Sequence, residues 1–145
     1  MNKKDYAISC FNKGFNCSQA VFSMFSEKLG LSSEIALKIS CGFGGGMRQG
    51  GTCGAVTGAL MVIGLKYGPK DSEDKLAKEK TYTLIEEFLN KFRLRNGSVI
   101  CKELLECDIS TEEGMRIAEE KELFVTQCPK FVVDAIEIIE NICNL

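Results

Sequence analysis

Residues 42–58 read GFGGGMRQGGTCGAVTG. Glycine fills about half of these positions, and the last part opens an apolar stretch that continues to Tyr67. The spacing predicts a glycine-rich loop running into a helix over about 53–67. Gly54 with Gly58, and Ala55 with Ala59, form two small-residue pairs one helical turn apart. Such pairs let a second backbone approach closely. A helix of this composition belongs at the centre of a helical packing. Cys53 sits where loop and helix meet, facing the unpaired N–H groups and positive end of the helix dipole. Both favour a thiolate, the form of cysteine that attacks, exchanges and binds metal.

Outward from this stretch, three- and four-residue steps of apolar residues predict helices and little else. Ile8, Phe11, Phe15, Phe22, Phe25 and Leu29 share one face of a single long helix predicted over 3–29, with Cys10 and Cys17 on a strip beside it. Gly30 is its expected C-cap. Ser32 or Ser33 opens a helix to about 42. Gly68-Pro69 ends the central helix, and Asp71 or Ser72 opens the next, about 73–94, which Asn96-Gly97 closes. Ser98 caps a short helix over about 99–107, with Cys101 in its first turn. Residues 108–127 are charged and weakly periodic, with capping-box spacing in Ser110-Thr111-Glu112-Glu113. Pro129 suits the first position of a last helix over about 129–143, and Cys128 stands just before it. No strand alternation is present. The expected fold is all-α: a compact single-domain helical bundle of about five to six helices covering 1–145, with the glycine-rich loop before a central helix.

Composition narrows the function. The chain of 145 residues is 45% apolar, 26% charged and carries a net charge of −2, so no basic footprint argues for nucleic acid. The opening MNKKDYAISCF lacks a secretory apolar core, and the longest apolar run, 55–65, is too short to span a membrane. The expectation is a soluble cytoplasmic protein. There, cysteine sets more often serve metal or redox chemistry than structural disulfides.

The sequence holds eight cysteines and no histidine. Cys–His nucleophile pairs, mixed Cys/His zinc sites and histidine-ligated haem are therefore excluded. No C-x-x-C occurs, so the thioredoxin-type dithiol is absent too. Cys53, Cys101 and Cys128 each fall in or beside the first turn of a predicted helix. If those helix starts converge, the three thiols share one electropositive pocket, and Cys17 can join from the side of the first helix. Cys10, Cys41 and Cys143 read as ordinary packing residues. Cys107, near Cys101, fits either as a partner or as a helix-end residue.

The loop resembles a phosphate cradle at first sight. The Walker pattern fails, because Gly51 takes the lysine position and no strand precedes. The glycines read instead as permitting positive φ and close backbone approach. Gly45, Gly46, Gly51 and Gly54 are the candidate backbone contacts to a ligand or cofactor, with N–H groups suited to sulfur anions or cluster sulfides. Arg48 is the only charged residue in the stretch.

In combination these segments resemble the C_GCAxxG_C_C family of redox-active proteins. The matching residues are Asn16-Cys17-Ser18-Gln19-Ala20-Val21, then Gly44-Gly45-Gly46 leading to Gly51-Thr52-Cys53-Gly54-Ala55-Val56-Thr57-Gly58. Ser98 with Cys101, and finally Cys128, complete the pattern, which spans about 10–140. The resemblance implies a small helical protein whose characteristic cysteines are Cys17, Cys53, Cys101 and Cys128. Related domains occur in multihaem cytochromes with iron–sulfur centres; without histidine or a haem attachment motif, the haem function does not carry over.

Three readings follow. In the first, a thiol-dependent oxidoreductase uses Cys53 as the low-pKa thiolate and one of Cys17, Cys101 or Cys128 as resolving thiol. Its partner is a redox protein or a small molecule. In the second, the same four cysteines hold an iron–sulfur cluster or zinc. In the third, the protein is a non-enzymatic helical scaffold with buried thiols. The wide apolar face of the first helix is compatible with a homodimer.

Overall fold

A computed structural model describes residues 1–145. The element that organises it is α4, Gly54–Tyr67, which packs against α2 (Cys17–Ser26), α5 (Lys75–Asn96) and α9 (Cys128–Cys143). Ala55, Val56, Ala59, Val62 and Ile63 of α4 are all fully buried. A helix this apolar belongs in the middle of the packing, and only Leu65 near its end is exposed. Its glycines set how close its neighbours come. A Cβ on Gly58 would stand 2.7 Å from the Ser18 carbonyl oxygen and 3.2 Å from Ser18 Cα, so α2 lies directly on the α4 backbone.

The fold is all-α, as the periodicity predicts, but the bundle is cut more finely than five or six helices. The chain runs α1 (Lys3–Asn12), α2, α3 (Ser33–Ser40), α4, α5, α6 (Cys101–Leu105), α7 (Glu112–Glu120), α8 (Leu123–Thr126) and α9. Short 3-10 turns at Glu27–Leu29 and Cys41–Phe43 extend α2 and α3. The weakly periodic 108–127 holds α7 and α8. There Thr111, rather than Ser110, is the cap, accepting from the Gly114 N–H at 2.9 Å. Asp74 opens α5, and the left-handed Gly97 closes it. Ser98 does not cap α6 directly. It accepts from the Ile100 N–H at 2.9 Å, and α6 starts after Ile100.

The most consequential departure lies in the first thirty residues. The long helix predicted over 3–29 is two helices. Gly14, at φ +93°, ends α1, and the Phe15 N–H donates to the Cys10 carbonyl at 3.0 Å, closing the turn in the Schellman manner. Asn16 then opens α2 with a reciprocal cap. Its side chain accepts from the Gln19 N–H at 3.0 Å, and the Gln19 side chain accepts from the Asn16 N–H at 2.9 Å. Cys17 is therefore the first residue of a helix and not a residue on a helical stripe.

Part of the core is aromatic. Phe88 and Phe92 of α5 stack at 5.9 Å between ring centroids, and Phe131 of α9 meets Phe92 at 6.4 Å. No helix is long and apolar enough to cross a membrane. The only extended pairing is one antiparallel bridge between Thr52 and Ile100.

Candidate functional site

All four cysteines singled out by the sequence stand at helix starts. Cys17 opens α2, Cys53 is the N-cap residue of α4, Cys101 opens α6 and Cys128 opens α9. Each is at most 8% exposed. All four line one cavity of about 490 Å³.

Local hydrogen bonding explains the convergence. The Cys53 N–H donates to the Val99 carbonyl at 2.7 Å, and the Cys101 N–H donates to the Gly51 carbonyl at 2.6 Å. These bonds flank the Thr52–Ile100 bridge and fix the Cys53 and Cys101 backbones side by side. The Cys53 carbonyl, in turn, accepts from the N–H groups of Val56 and Thr57, which begins α4. The cap of α2 ties Cys17 to the glycine stretch. Asn16 Nδ2 donates to the Cys41 carbonyl at 2.8 Å, and Gln19 Nε2 donates to the Leu37 carbonyl at 2.9 Å. A Cβ on Gly44 would overlap the Asn16 side chain, and one on Gly54 would overlap Cys17 Sγ. The missing side chain of Gly54 is thus the space that the Cys17 sulfur occupies, against the first turn of the helix that carries Cys53.

Between α3 and α4 the backbone makes one left-handed turn. Gly45, Gly46, Met47 and Arg48 all have φ near +60°, and the Gly51 N–H closes the turn on the Gly46 carbonyl at 3.1 Å. A Cβ on Gly46 would strike the Gly51 backbone. This turn places Gly45 on the cavity that Cys17 lines, and its N–H is among the causes that lower the Cys17 pKa.

The electrostatics separate the four thiols. Hydrogen bonding from the Cys53 thiol, joined by the N–H groups of Gly45, Ser18 and Cys17 itself, holds the Cys17 pKa at about 7 against an ordinary 9.0, despite burial. Cys53 goes the other way. Its proton is held in the bond to Cys17, and burial and the Cys17 charge add to that, so its pKa lies well above the ordinary value. Burial pushes Cys101 up to about 12, with the charge of Cys17 adding to it. Burial and the charges of Cys17, Cys101 and Cys107 also raise Cys128. The sequence expectation puts the low-pKa thiol at Cys53, whereas the donors around the pair lower Cys17 and raise Cys53. A helix N-cap alone does not ionise Cys53, because Cys17 and burial raise its pKa more than the Ala55 N–H lowers it.

The structure brings Cys17, Cys53, Cys101 and Cys128 around one cavity, with the Cys17 sulfur against Gly54, the residue after Cys53. It does not bring three cysteine or carboxylate side chains into a group that could hold one metal ion. Tetrahedral zinc needs four ligands, with sulfur about 2.3 Å from the metal, so the thiols as arranged do not fit that role. Gly45 and Gly54 face the cavity. Gly46 and Gly51 face each other and shape the turn instead. Cys10 and Cys143 are buried in the core, as ordinary packing residues would be, and Cys107 is half-buried. Cys41 is different: it is exposed and lines the cavity, where the sequence suggested packing. Its place follows from the Asn16 bond, which holds the Cys41 backbone beside the start of α2.

The family model described as "Putative redox-active protein (C_GCAxxG_C_C)" matches residues 15–142. Comparison with curated proteins and with solved structures gave no match.

Proposed function

The chain belongs to the C_GCAxxG_C_C family, and from that premise we propose that it is a thiol–disulfide oxidoreductase built on the Cys17–Cys53 pair. The observation that carries this reading is the seating of the Cys17 sulfur against Gly54, in the first turn of the helix that Cys53 caps and on the cavity both cysteines line; the donors around it lower the Cys17 pKa to about 7. A thiolate with a pKa near ambient pH is close to the optimum for exchange.

The reaction runs in two displacements. The Cys17 thiolate attacks one sulfur of a substrate disulfide RS–SR, forming the Cys17–SR mixed disulfide and releasing RS⁻. Cys53 gives up its proton to that released thiolate or to solvent and attacks Cys17 Sγ. The Cys17–Cys53 disulfide forms and the second RS⁻ leaves. Two electrons pass from the dithiol to the substrate, and an external dithiol reverses the change. Cys53 is suited to resolving because its proton stays in place until the mixed disulfide removes the charge from Cys17. A reducing compartment such as the cytoplasm supplies the thiols for regeneration. Cys101 and Cys128 keep their protons and line the cavity around the reacting pair.

The test is to oxidise the protein with a molar equivalent of a small disulfide and map the product by mass spectrometry. A Cys17–Cys53 bridge is expected, together with loss of the fast-reacting thiol in Cys17→Ser. Full redox cycling in Cys17→Ser would sink the assignment.

The gathering of four thiols around one cavity supports a second reading, an iron–sulfur or zinc centre on Cys17, Cys53, Cys101 and Cys128. It requires the thiols to close up from their present places. Anaerobic purification followed by metal and sulfide analysis separates the two. Stoichiometric metal or acid-labile sulfide favours the centre, and metal-free protein with four separately alkylatable thiols favours the dithiol.

A further inference from the structure

The cavity is far larger than a thiol pair needs, and its lining is specific. Phe11, Phe15, Phe124 and Phe131 contribute aromatic surface, and Leu104 and Ile109 contribute aliphatic surface. No carboxylate lines it, and its only formally charged residue is Arg48. Arg48 is exposed and forms no ion pair with any carboxylate of the chain. The backbone holds it at φ +65°, a left-handed conformation that is unfavourable for a non-glycine residue. The Gly45–Arg48 turn thus carries two groups to one cavity: the Gly45 backbone, which lines it together with Cys17, and a free cation on the solvent side. A cavity of this size accommodates an organic molecule of ordinary ligand dimensions.

We infer that the cavity selects low-molecular-weight organic disulfides with an apolar, ring-sized body and an anionic group that pairs with Arg48. The apolar body lies on the phenylalanine side, the anion sits at Arg48, and the disulfide sulfur reaches Cys17. The inference rests on the dithiol reading above and uses the same chemistry. Cys17 displaces one anionic aryl thiolate, and Cys53 displaces the second as the Cys17–Cys53 disulfide closes. The protein dithiol is oxidised by two electrons and the substrate disulfide is reduced to two thiols.

Three probes test the selection. Dithiobis(nitrobenzoate) is aromatic and anionic, dipyridyl disulfide is aromatic and neutral, and cystamine is small and cationic. Each second-order rate with the intact protein is divided by the rate of free mercaptoethanol with the same probe, which removes intrinsic reactivity. The expected normalised order is anionic aromatic, then neutral aromatic, then cationic, with about tenfold between first and last. Arg48→Gln is expected to slow the anionic probe about threefold to fivefold, the upper part of what an exposed ion pair contributes, and to leave the neutral probe unchanged. In the unmodified protein, raising salt from low to high ionic strength should erase the same margin. Equal normalised rates for the three probes, or a salt-independent order, overturn the inference. So does an Arg48→Gln loss shared equally by all three probes. Failure of the underlying dithiol reading looks different: Cys17→Ser then consumes every probe at the unmodified rate.

Discussion

Replacing Cys53 by alanine removes the thiol that donates to Cys17, and the consequence has a sign that changes with pH. The bond from Cys53 is the largest cause of the lowered Cys17 pKa, about 7 against 9.0. Without it, burial and the remaining N–H donors of Gly45, Ser18 and Cys17 oppose each other, and a return to the ordinary value is expected. Two units correspond to ~2.7 kcal/mol of lost preference for the thiolate. At pH 7 the ionised fraction then drops from about one half to about one hundredth, roughly fiftyfold. Thiolate nucleophilicity rises with basicity, with a Brønsted coefficient of about 0.4–0.5, which recovers about eightfold. Alkylation of Cys17 should therefore be about sixfold slower in Cys53→Ala at pH 7. Above about pH 10 Cys17 is ionised in both proteins, and the variant should be about eightfold faster.

The assay is alkylation by limiting-time iodoacetamide across pH, with the Cys17 peptide quantified by mass spectrometry. The two rate profiles are expected to cross between pH 7 and 10. Profiles that stay parallel, with the same midpoint, refute the claim that Cys53 sets the Cys17 pKa. The reciprocal variant, Cys17→Ala, should leave Cys53 slow at pH 7, because burial still raises it. A Cys53 midpoint near 7 in that variant would show that the pair has been assigned the wrong way round.

Gly54→Ala places a methyl group on Cys17 Sγ and 3.0 Å from the Phe43 carbonyl oxygen. It should cost about 1–3 kcal/mol in urea unfolding and raise the Cys17 midpoint as the sulfurs separate. Asn16→Ala removes the α2 cap and the bond to the Cys41 carbonyl; about 1 kcal/mol of stability should be lost, with slower Cys17 alkylation at pH 7. Stability should also depend on pH through the raised thiols. Cys101 keeps its proton in the folded chain up to about 12, while the unfolded chain releases it near the ordinary value. Stability therefore falls as pH rises above about 9, by about 1.4 kcal/mol per pH unit for one such thiol. Cys17 contributes in the opposite sense: its stabilisation is present above its unfolded pKa and is lost as pH falls through about 7. Chemical denaturation across pH should show the alkaline fall flattened by that slope in Cys101→Ala.

The helices with strong apolar periodicity and firm end signals were legible in the sequence. α4 ends at Gly68 and α9 opens with Pro129 near its start, within a residue or two of expectation. The break between α1 and α2 was harder to see because apolar spacing runs across it without a phase change. Its signals are local: Gly14, which alone tolerates φ +93°, and the Asn16-x-x-Gln19 reciprocal cap. Reading those two before the hydrophobic stripe would have placed Cys17 at a helix start with the other three. The place of Cys41 was not legible, because it depends on a side-chain bond from Asn16, 25 residues earlier. The ordering of the thiols was hidden for a similar reason. A helix N-terminus predicts lowered pKa for all four cysteines alike, whereas the actual values depend on which sulfur receives the extra donors.

That ordering bears on what the site can do. Four thiols around one cavity do not ionise independently. The charge on Cys17 is itself among the causes that raise Cys53, Cys101 and Cys128, so the first ionisation suppresses the others. In this chain the charge on Cys17 therefore makes the other three thiols hold their protons more tightly. Once Cys17 enters a disulfide its charge disappears, and with it the attraction that held the Cys53 proton. The resolving thiol becomes easier to ionise when a mixed disulfide is present to be resolved. Glycines 54 and 58 make this coupling available, since a side chain at either would hold α2 and α4 apart and leave two isolated buried thiols.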